Sequence, residues 1–152
     1  MSKPRQILPG KSYLITRRCI QRQFLLRPSA VVNRVFLFCL AYASSKYKID
    51  VHAAVALSNH CHLVITDTEG RLPKFMQWLD LYVAKCINVM LGRSGALWEP
   101  ERYSDVQLIE DQDVLEKMLY TLVNPVEAGL VRWGDEWPGF SPDFSPDSYC
   151  GP

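Results

Sequence analysis

Val55-Ala56-Leu57-Ser58-Asn59-His60-Cys61-His62-Leu63-Val64-Ile65 is the stretch on which the fold of this chain turns. Apolar runs stand on either side, and Ser58-Asn59 interrupts them with two side chains that readily bond their own backbone in a turn. The pattern predicts a hairpin, with one strand over Ile49 to Leu57 and a second carrying the two histidines. Side chains at i and i+2 of a strand leave the same face, so His60 and His62 converge on one point. Cys61 then points to the opposite face, into the core. Two convergent neutral imidazoles are half of a divalent-metal site. The same pair also suits half-buried histidines that only satisfy partners near a turn, and the triplet alone leaves both readings open.

Working outward, Ser12 to Ile20 alternates as a strand does. Pro28-Ser29 offers a helix start ahead of Val32, Val35, Phe36, Cys39 and Leu40, which have helical spacing. Gly70 punctuates the chain. Leu72 to Leu91 follows as an amphipathic helix with Phe75, Met76, Leu79, Val83, Cys86 and Met90 on one stripe, ending near Gly92. Leu97 to Ile109 reads as irregular and then strand-like. Asp111 or Asp113 can cap a third helix through Val123, with Pro125 terminating it. The order strand, helix, strand, strand, helix, strand, helix fits an α+β fold of ferredoxin-like type. Its antiparallel sheet has helices packed on one face and the histidine pair on a central strand. Residues 1–152 are expected to form a single domain, with an irregular tail from about Trp133 through Pro138, Pro142 and Pro146.

Composition narrows the classes. No apolar run reaches membrane-span length, and the polar start Met1 to Gln6 has no secretory apolar region behind it, so a cytoplasmic protein without a membrane partner is expected. The five cysteines, Cys19, Cys39, Cys61, Cys86 and Cys150, are odd in number and lack Cys-x-x-Cys spacing. They read as reduced residues, four of them in apolar segments, and not as a disulfide or zinc framework. Net charge is only +1, but Lys3, Arg5, Lys11, Arg17, Arg18, Arg22 and Arg27 all precede the first acid, Asp50. A basic first third can follow a phosphate backbone or be an ordinary solvated face; charge alone does not choose.

At one hundred degrees per residue, Leu115, Met118, Leu119 and Leu122 of the third helix form the stripe expected to face the core. Tyr120 falls opposite, with Glu116 one turn before and Asn124 one turn after. That makes it either a rim tyrosine or a chemical group. Tyr82 lies at the edge of the second helix's apolar stripe and reads as a core or edge residue. A phenol near a metal held by two imidazoles suits phosphoryl transfer from a phosphodiester, with the tyrosine oxygen attacking in line. A protein nucleophile keeps the phosphodiester energy in a phosphotyrosine, so the cut can be resealed. The phenol, with a reference pKa near 10, must lose its proton as it attacks, to metal-bound water or a nearby base.

Together these residues resemble the HUH superfamily of single-tyrosine transposases, within it the REP-associated tyrosine transposases. Leu57-Ser58-Asn59-His60-Cys61-His62-Leu63-Val64 is similar to the family's Pro-Asn-His-hydrophobic-His-Leu signature, with Ser58 in place of proline. Tyr120-Thr121-Leu122-Val123-Asn124-Pro125-Val126-Glu127-Ala128-Gly129-Leu130-Val131 resembles its Tyr-x-x-x-Asn-Pro-Val-x-Ala-Gly-Leu-Val block. Leu97-Trp98 with Arg102-Tyr103, at a spacing one residue longer than the commonest form, and Asp135-Glu136-Trp137-Pro138 resemble the remaining elements. The resemblance implies that His60 and His62 ligate Mg²⁺ or Mn²⁺, that Asn124 is the third protein ligand and that Tyr120 is the nucleophile. It implies single-stranded DNA, usually with a hairpin, cut to leave a 5′-phosphotyrosine and a free 3′-hydroxyl. Some relatives are homodimers that share helices between active sites and others act as monomers. The low net charge leaves recognition to hairpin shape and a few arginines, for which Arg17, Arg18 and Arg102 are the candidates. Two other classes compete: a non-catalytic binder of structured single-stranded nucleic acid on the same fold, and an interaction module with a structural metal, which leaves Tyr120 without purpose.

Overall fold

The computed structural model describes residues 6–142. Strand β1 (Lys11–Arg18) is followed by helix α1 (Ala30–Tyr47), which opens where the Ser29 hydroxyl accepts the Val32 N–H at 3.1 Å. The expected hairpin forms from β2 (Ile49–Ala56) and β3 (His60–Asp67), closed by the Leu57 N–H donating to the His60 carbonyl at 2.8 Å. Asp67 both ends β3 and starts the next helix. Fully buried, its carboxylate accepts the N–H groups of Arg71 and Leu72 at 2.8 and 2.9 Å, capping helix α2 (Leu72–Leu91). Gly92 stops that helix in the left-handed region, at φ 62°, where glycine alone is free of a Cβ penalty. Strand β4 (Ser104–Leu108) and helix α3 (Asp111–Glu127) complete the order.

The four strands lie in the order β2-β3-β1-β4 with every neighbouring pair antiparallel, the ferredoxin-like arrangement, and the histidines are on a central strand. Alternation divides the sheet into two faces. Tyr13, Ile15, Ala54, Cys61, Leu63 and Ile65 point to the side covered by α1 and α2, where the main core forms with Phe36, Leu40, Phe75, Met76, Val83 and Ile87. Leu14, Ala53, Val64 and Leu108 point the other way, to a small cluster under Val114 and Met118 of α3. The expectation of helices on one face therefore holds for α1 and α2 and fails for α3, which covers the face from which the histidines project.

Several local expectations are corrected. On α2 the buried row passes from Val83 to Ile87, leaving Cys86 and Met90 exposed, because a straight helix drifts past a strict i+3/i+4 reading over five turns. Cys19, Cys39 and Cys61 are buried free thiols, whereas Cys150 and Pro146 lie outside the described residues. Residue Glu110, not Asp111 or Asp113, is the N-cap of α3, its N–H donating to the Asp113 carboxylate at 3.0 Å. Pro125 does not end that helix. In its last turn a proline forfeits only the bond it cannot donate to Thr121, and Ala128 still donates to Asn124 at 2.9 Å, so α3 runs on to Glu127.

The largest correction concerns which side of α3 is buried. Leu115, Leu119 and Leu122 are 59%, 63% and 41% exposed, while Thr121, Asn124 and Pro125 are buried. Relative to its apolar stripe the helix is turned by about a hundred degrees. The tail from Trp133 is also more ordered than its composition suggests: Phe140 is buried and stacked on Phe36 at 5.5 Å. Its carbonyl accepts the Ala56 N–H at 2.8 Å, and the Trp137 indole donates to the Ala56 carbonyl at 3.0 Å, so this segment covers the edge of β2. Among the described residues no helix is long and apolar enough to cross a membrane.

Candidate active site

Register fixes the neighbours of the histidine pair. On β1, Arg18 lies opposite His60 and Thr16 opposite His62, sharing their face, whereas Arg17 lies opposite Cys61 and shares its face. The two imidazoles meet edge to face with centroids 4.9 Å apart. Each is oriented through Nδ1. His60 Nδ1 is 2.7 Å from Asn59 Oδ1, an oxygen that can only accept, so that nitrogen carries the proton and Nε2 keeps its lone pair. His62 Nδ1 is 2.9 Å from the Thr16 hydroxyl, which can accept in the same way. Nε2 of His60 is thereby left for another partner, and so is Nε2 of His62 in the tautomer in which Thr16 accepts, the arrangement that metal-ligating histidines have.

Electrostatics act in the same direction. Burial, with smaller contributions from Arg18 and Arg22, holds His60 below the usual imidazole range. Burial lowers His62 to about 4, helped by His60 and then Arg18. Both rings are neutral near pH 7, which is the ligating form.

Helix α3 brings the tyrosine. The Tyr120 ring stands edge-on to His62 at 5.7 Å between centroids, and the Lys117 ammonium is 5.2 Å from the centre of the phenol ring. One turn later Asn124 is buried on the sheet-facing side of the same helix. Tyr82 is elsewhere, stacked on Trp78 at 4.4 Å on the helix layer of the opposite face. Of the two tyrosines compared in the sequence, Tyr120 is the one beside a histidine, although the core direction read from the helical wheel is wrong: Tyr120 reaches His62 because it borders the packed side of α3.

A cleft of about 200 Å³ beside His60 is lined by Arg18, Arg22, Asn59 and His60. Arg22 comes from a 3-10 turn, Ile20–Arg22, in which Gln21 and Arg22 both adopt left-handed backbone, φ 50° and 53°. Such conformations in non-glycine residues persist only where surroundings enforce them. Here Cys19 donates to the Asn59 carbonyl and Ile20 to the Leu97 carbonyl, both at 2.8 Å, pinning the turn against the histidine hairpin. Neither Arg22 nor the orienting role of Asn59 is chosen by the sequence reading, although Asn59 stands directly before His60.

Arg17 is not part of the cleft. Its Nε donates to Asp80 Oδ2 at 3.0 Å and its Nη1 to the carbonyls of Glu99 and Glu101 at 3.0 and 2.7 Å, so it ties β1 to α2 and to the loop before β4. Arg102 lies over the buried Tyr103 ring at 5.7 Å and does not line the cleft. Of the three arginines singled out, Arg18 alone faces the histidines.

The residues present fit a hard divalent ion. Two imidazole nitrogens and an amide offer nitrogen and oxygen donors without thiolate, a set suited to Mg²⁺ or Mn²⁺ more than to structural zinc. Among the described residues no group of three or more His, Cys, Asp and Glu side chains is placed to hold a metal ion.

The sequence matches no family model and no curated protein. Solved structures do match. A REP-associated tyrosine transposase, determined bound to a REP hairpin, superposes with a TM-score of 0.72 at 21% identity over 93% of this chain and 82% of that one. A candidate transposase from Deinococcus radiodurans R1 gives a TM-score of 0.54 at 17% identity, over 79% of this chain and 95% of its own. The four-stranded sheet with its three helices has the fold of the REP-associated tyrosine transposase.

Proposed function

We propose that this chain is an HUH-type single-tyrosine transposase that cleaves and rejoins single-stranded DNA bearing a hairpin. The observation that carries the reading is the juxtaposition of Tyr120 with a pair of neutral imidazoles, each held at Nδ1 by a polar neighbour. Support also comes from the hairpin-bound protein that shares the fold.

In this reading His60, His62 and Asn124 hold Mg²⁺ or Mn²⁺. The ion, when bound, polarises a non-bridging oxygen of the scissile phosphate and stabilises the charge that develops there. The chain's own residues do the rest. Arg18 and Arg22 hold the phosphodiester through its charge, the role for which guanidinium groups are suited. Tyr120 gives up its phenolic proton as its oxygen attacks phosphorus, the bond from phosphorus to the 3′ oxygen breaks, and that oxygen takes up a proton and leaves as a 3′-hydroxyl, so that no proton is gained or lost overall. The 5′ end remains on Tyr120 as a phosphotyrosine. Attack by a 3′-hydroxyl on the same phosphorus reverses these steps and frees the tyrosine. Asn59 and Thr16 keep both histidines in the tautomer that the site needs.

The test is a covalent adduct. Incubation with a labelled hairpin-bearing single strand and Mn²⁺ should give a denaturation-resistant protein–DNA band that disappears in Tyr120→Phe and persists in Tyr82→Phe. Hairpin binding without an adduct, across several hairpins and both metals, refutes the catalytic reading in favour of a binding protein.

A further inference from the structure

Far from the histidines, the outer surface of the α1–α2 layer carries four aromatic rings in one ladder. Phe38 stacks on Tyr42 at 6.3 Å, Tyr42 on Trp78 at 4.8 Å and Trp78 on Tyr82 at 4.4 Å, with planes within 27° of parallel. Phe38 is 67% exposed, Tyr42 46% and Tyr82 38%. Large rings left in water on adjacent helices form an apolar patch that calls for an occupant.

The sequence places cations around these rings in a regular way. On α1, Arg34, Phe38, Tyr42 and Lys46 succeed one another at i+4, and on α2 so do Lys74, Trp78 and Tyr82, with Lys85 one turn further. Lys46 lies over Tyr42 at 5.8 Å and over Tyr47 at 5.5 Å, and Lys85 over Tyr82 at 5.4 Å. Helix α1 contains no Asp or Glu, and the one acid of α2, Asp80, is bound to Arg17. Both helices thus present rings and positive charge without an exposed carboxylate of their own.

We propose that this ladder is a second nucleic-acid contact, a stacking platform for unpaired nucleotides of single-stranded DNA. Bases stack on aromatic rings irrespective of sequence, and interleaved cations follow the phosphates. Phe38 ends the ladder: only its Tyr42 side is taken by a ring of the stack, so a base there continues the stack while Arg34 and Lys46, one and two turns away along α1, meet its phosphates. A second copy of the chain is a poorer occupant. A two-fold contact would set Arg34, Lys46, Lys74 and Lys85 against the same four cations, and like charges across an interface are repulsive. The choice of DNA over RNA rests on the function proposed above; the platform itself does not.

Binding of a labelled oligodeoxythymidylate of about twelve nucleotides to the full chain in EDTA tests this, because an unstructured strand without metal bypasses the Tyr120 reaction. The affinity should fall about tenfold in Phe38→Ala, and an abasic strand of equal length should bind the unaltered chain about as weakly. Trp133→Ala, equally exposed but away from the ladder, should bind normally. Lys46→Gln should lower the salt dependence by about one counterion. Adduct formation by Tyr120 is scored separately, so its failure and the failure of the platform are distinguishable. Unchanged binding in Phe38→Ala, or full binding of the abasic strand, overturns the proposal. So does a dimer that Phe38→Ala converts to monomer with DNA affinity intact.

Discussion

Replacing Thr16 by valine tests how the site is built, because it removes one hydroxyl and almost no volume. Thr16 and His62 are 8% and 5% exposed, and their 2.9 Å hydrogen bond is buried. Without it the Nδ1–H of His62 faces a methyl group, and an unpaired buried donor costs about 1–3 kcal/mol. The ring can escape by moving its proton to Nε2, which blocks the nitrogen that the site needs. The expected outcome is a loss of about 2 kcal/mol in urea unfolding without metal. Mn²⁺ affinity should fall about 10- to 100-fold, the usual effect of losing a partner that orients a ligating histidine. Thr16→Ser, which keeps the hydroxyl, should restore both. Nitrogen NMR shifts of His62 report the tautomer directly. An unchanged Mn²⁺ affinity in Thr16→Val, with Nδ1 still protonated, refutes the claim that this hydroxyl sets the ring.

Arg17→Gln should act on stability, lowering it by about 2 kcal/mol in chemical denaturation because Asp80 is left partly buried without its cation, while hairpin affinity corrected for folding stays unchanged. Without metal, stability should depend on pH through His62. Its pKa is about 4 in the fold against 6.5 in the unfolded chain, so the unfolded state binds more protons between these values. The resulting stabilisation, about 3 kcal/mol, is complete above pH 6.5 and is lost as pH falls toward 4, a slope that His62→Gln should flatten. The orientation of α3 is checked by charge insertion: Leu119→Glu should change stability by less than about 0.5 kcal/mol and Met118→Glu should cost about 2 kcal/mol or more. A reversed ranking would restore the orientation read from the helical wheel. Amide exchange should be faster along α3 than along α1 and α2, whose residues share the large core.

The hairpin, the helix starting after Ser29 and the central position of the histidines were legible because each rests on a local signal: strand alternation, a capping side chain, a turn pair. The extent of α2 was legible for the same reason. What could not be read locally was decided by the partner surface. Nothing in Leu115, Leu119 and Leu122 says that the sheet face opposite them is taken by His60, His62 and Thr16. Arg17 and Arg18 are adjacent and chemically alike, yet strand alternation sends one to Asp80 and the other to the cleft. Arg22 was hidden more deeply, since its position depends on two left-handed residues that no propensity favours.

The misread wheel carries the more general lesson about this fold. A helix buries its apolar stripe when the surface beneath it is apolar, and here that surface offers only Leu14, Ala53, Val64 and Leu108 before it becomes the polar floor of the site. Over such a floor α3 buries Thr121 and Asn124 instead, at a cost visible in the Thr121 hydroxyl, which is buried without a hydrogen-bond partner. The turn that hides these groups is the one that brings Tyr120 to the ring of His62. Stability has been given up on this face, in three leucines left in water and one unpaired hydroxyl, while the opposite face retains a core large enough to hold the sheet. That division lets a small domain keep a neutral histidine pair, His62 buried and His60 half-buried, accessible to a side chain from a separate helix. It also predicts where stabilising substitutions belong: polar replacements of Leu115 and Leu119 should be tolerated or favourable, and Thr121→Val, which removes the unpaired buried hydroxyl at nearly constant volume, should stabilise the protein.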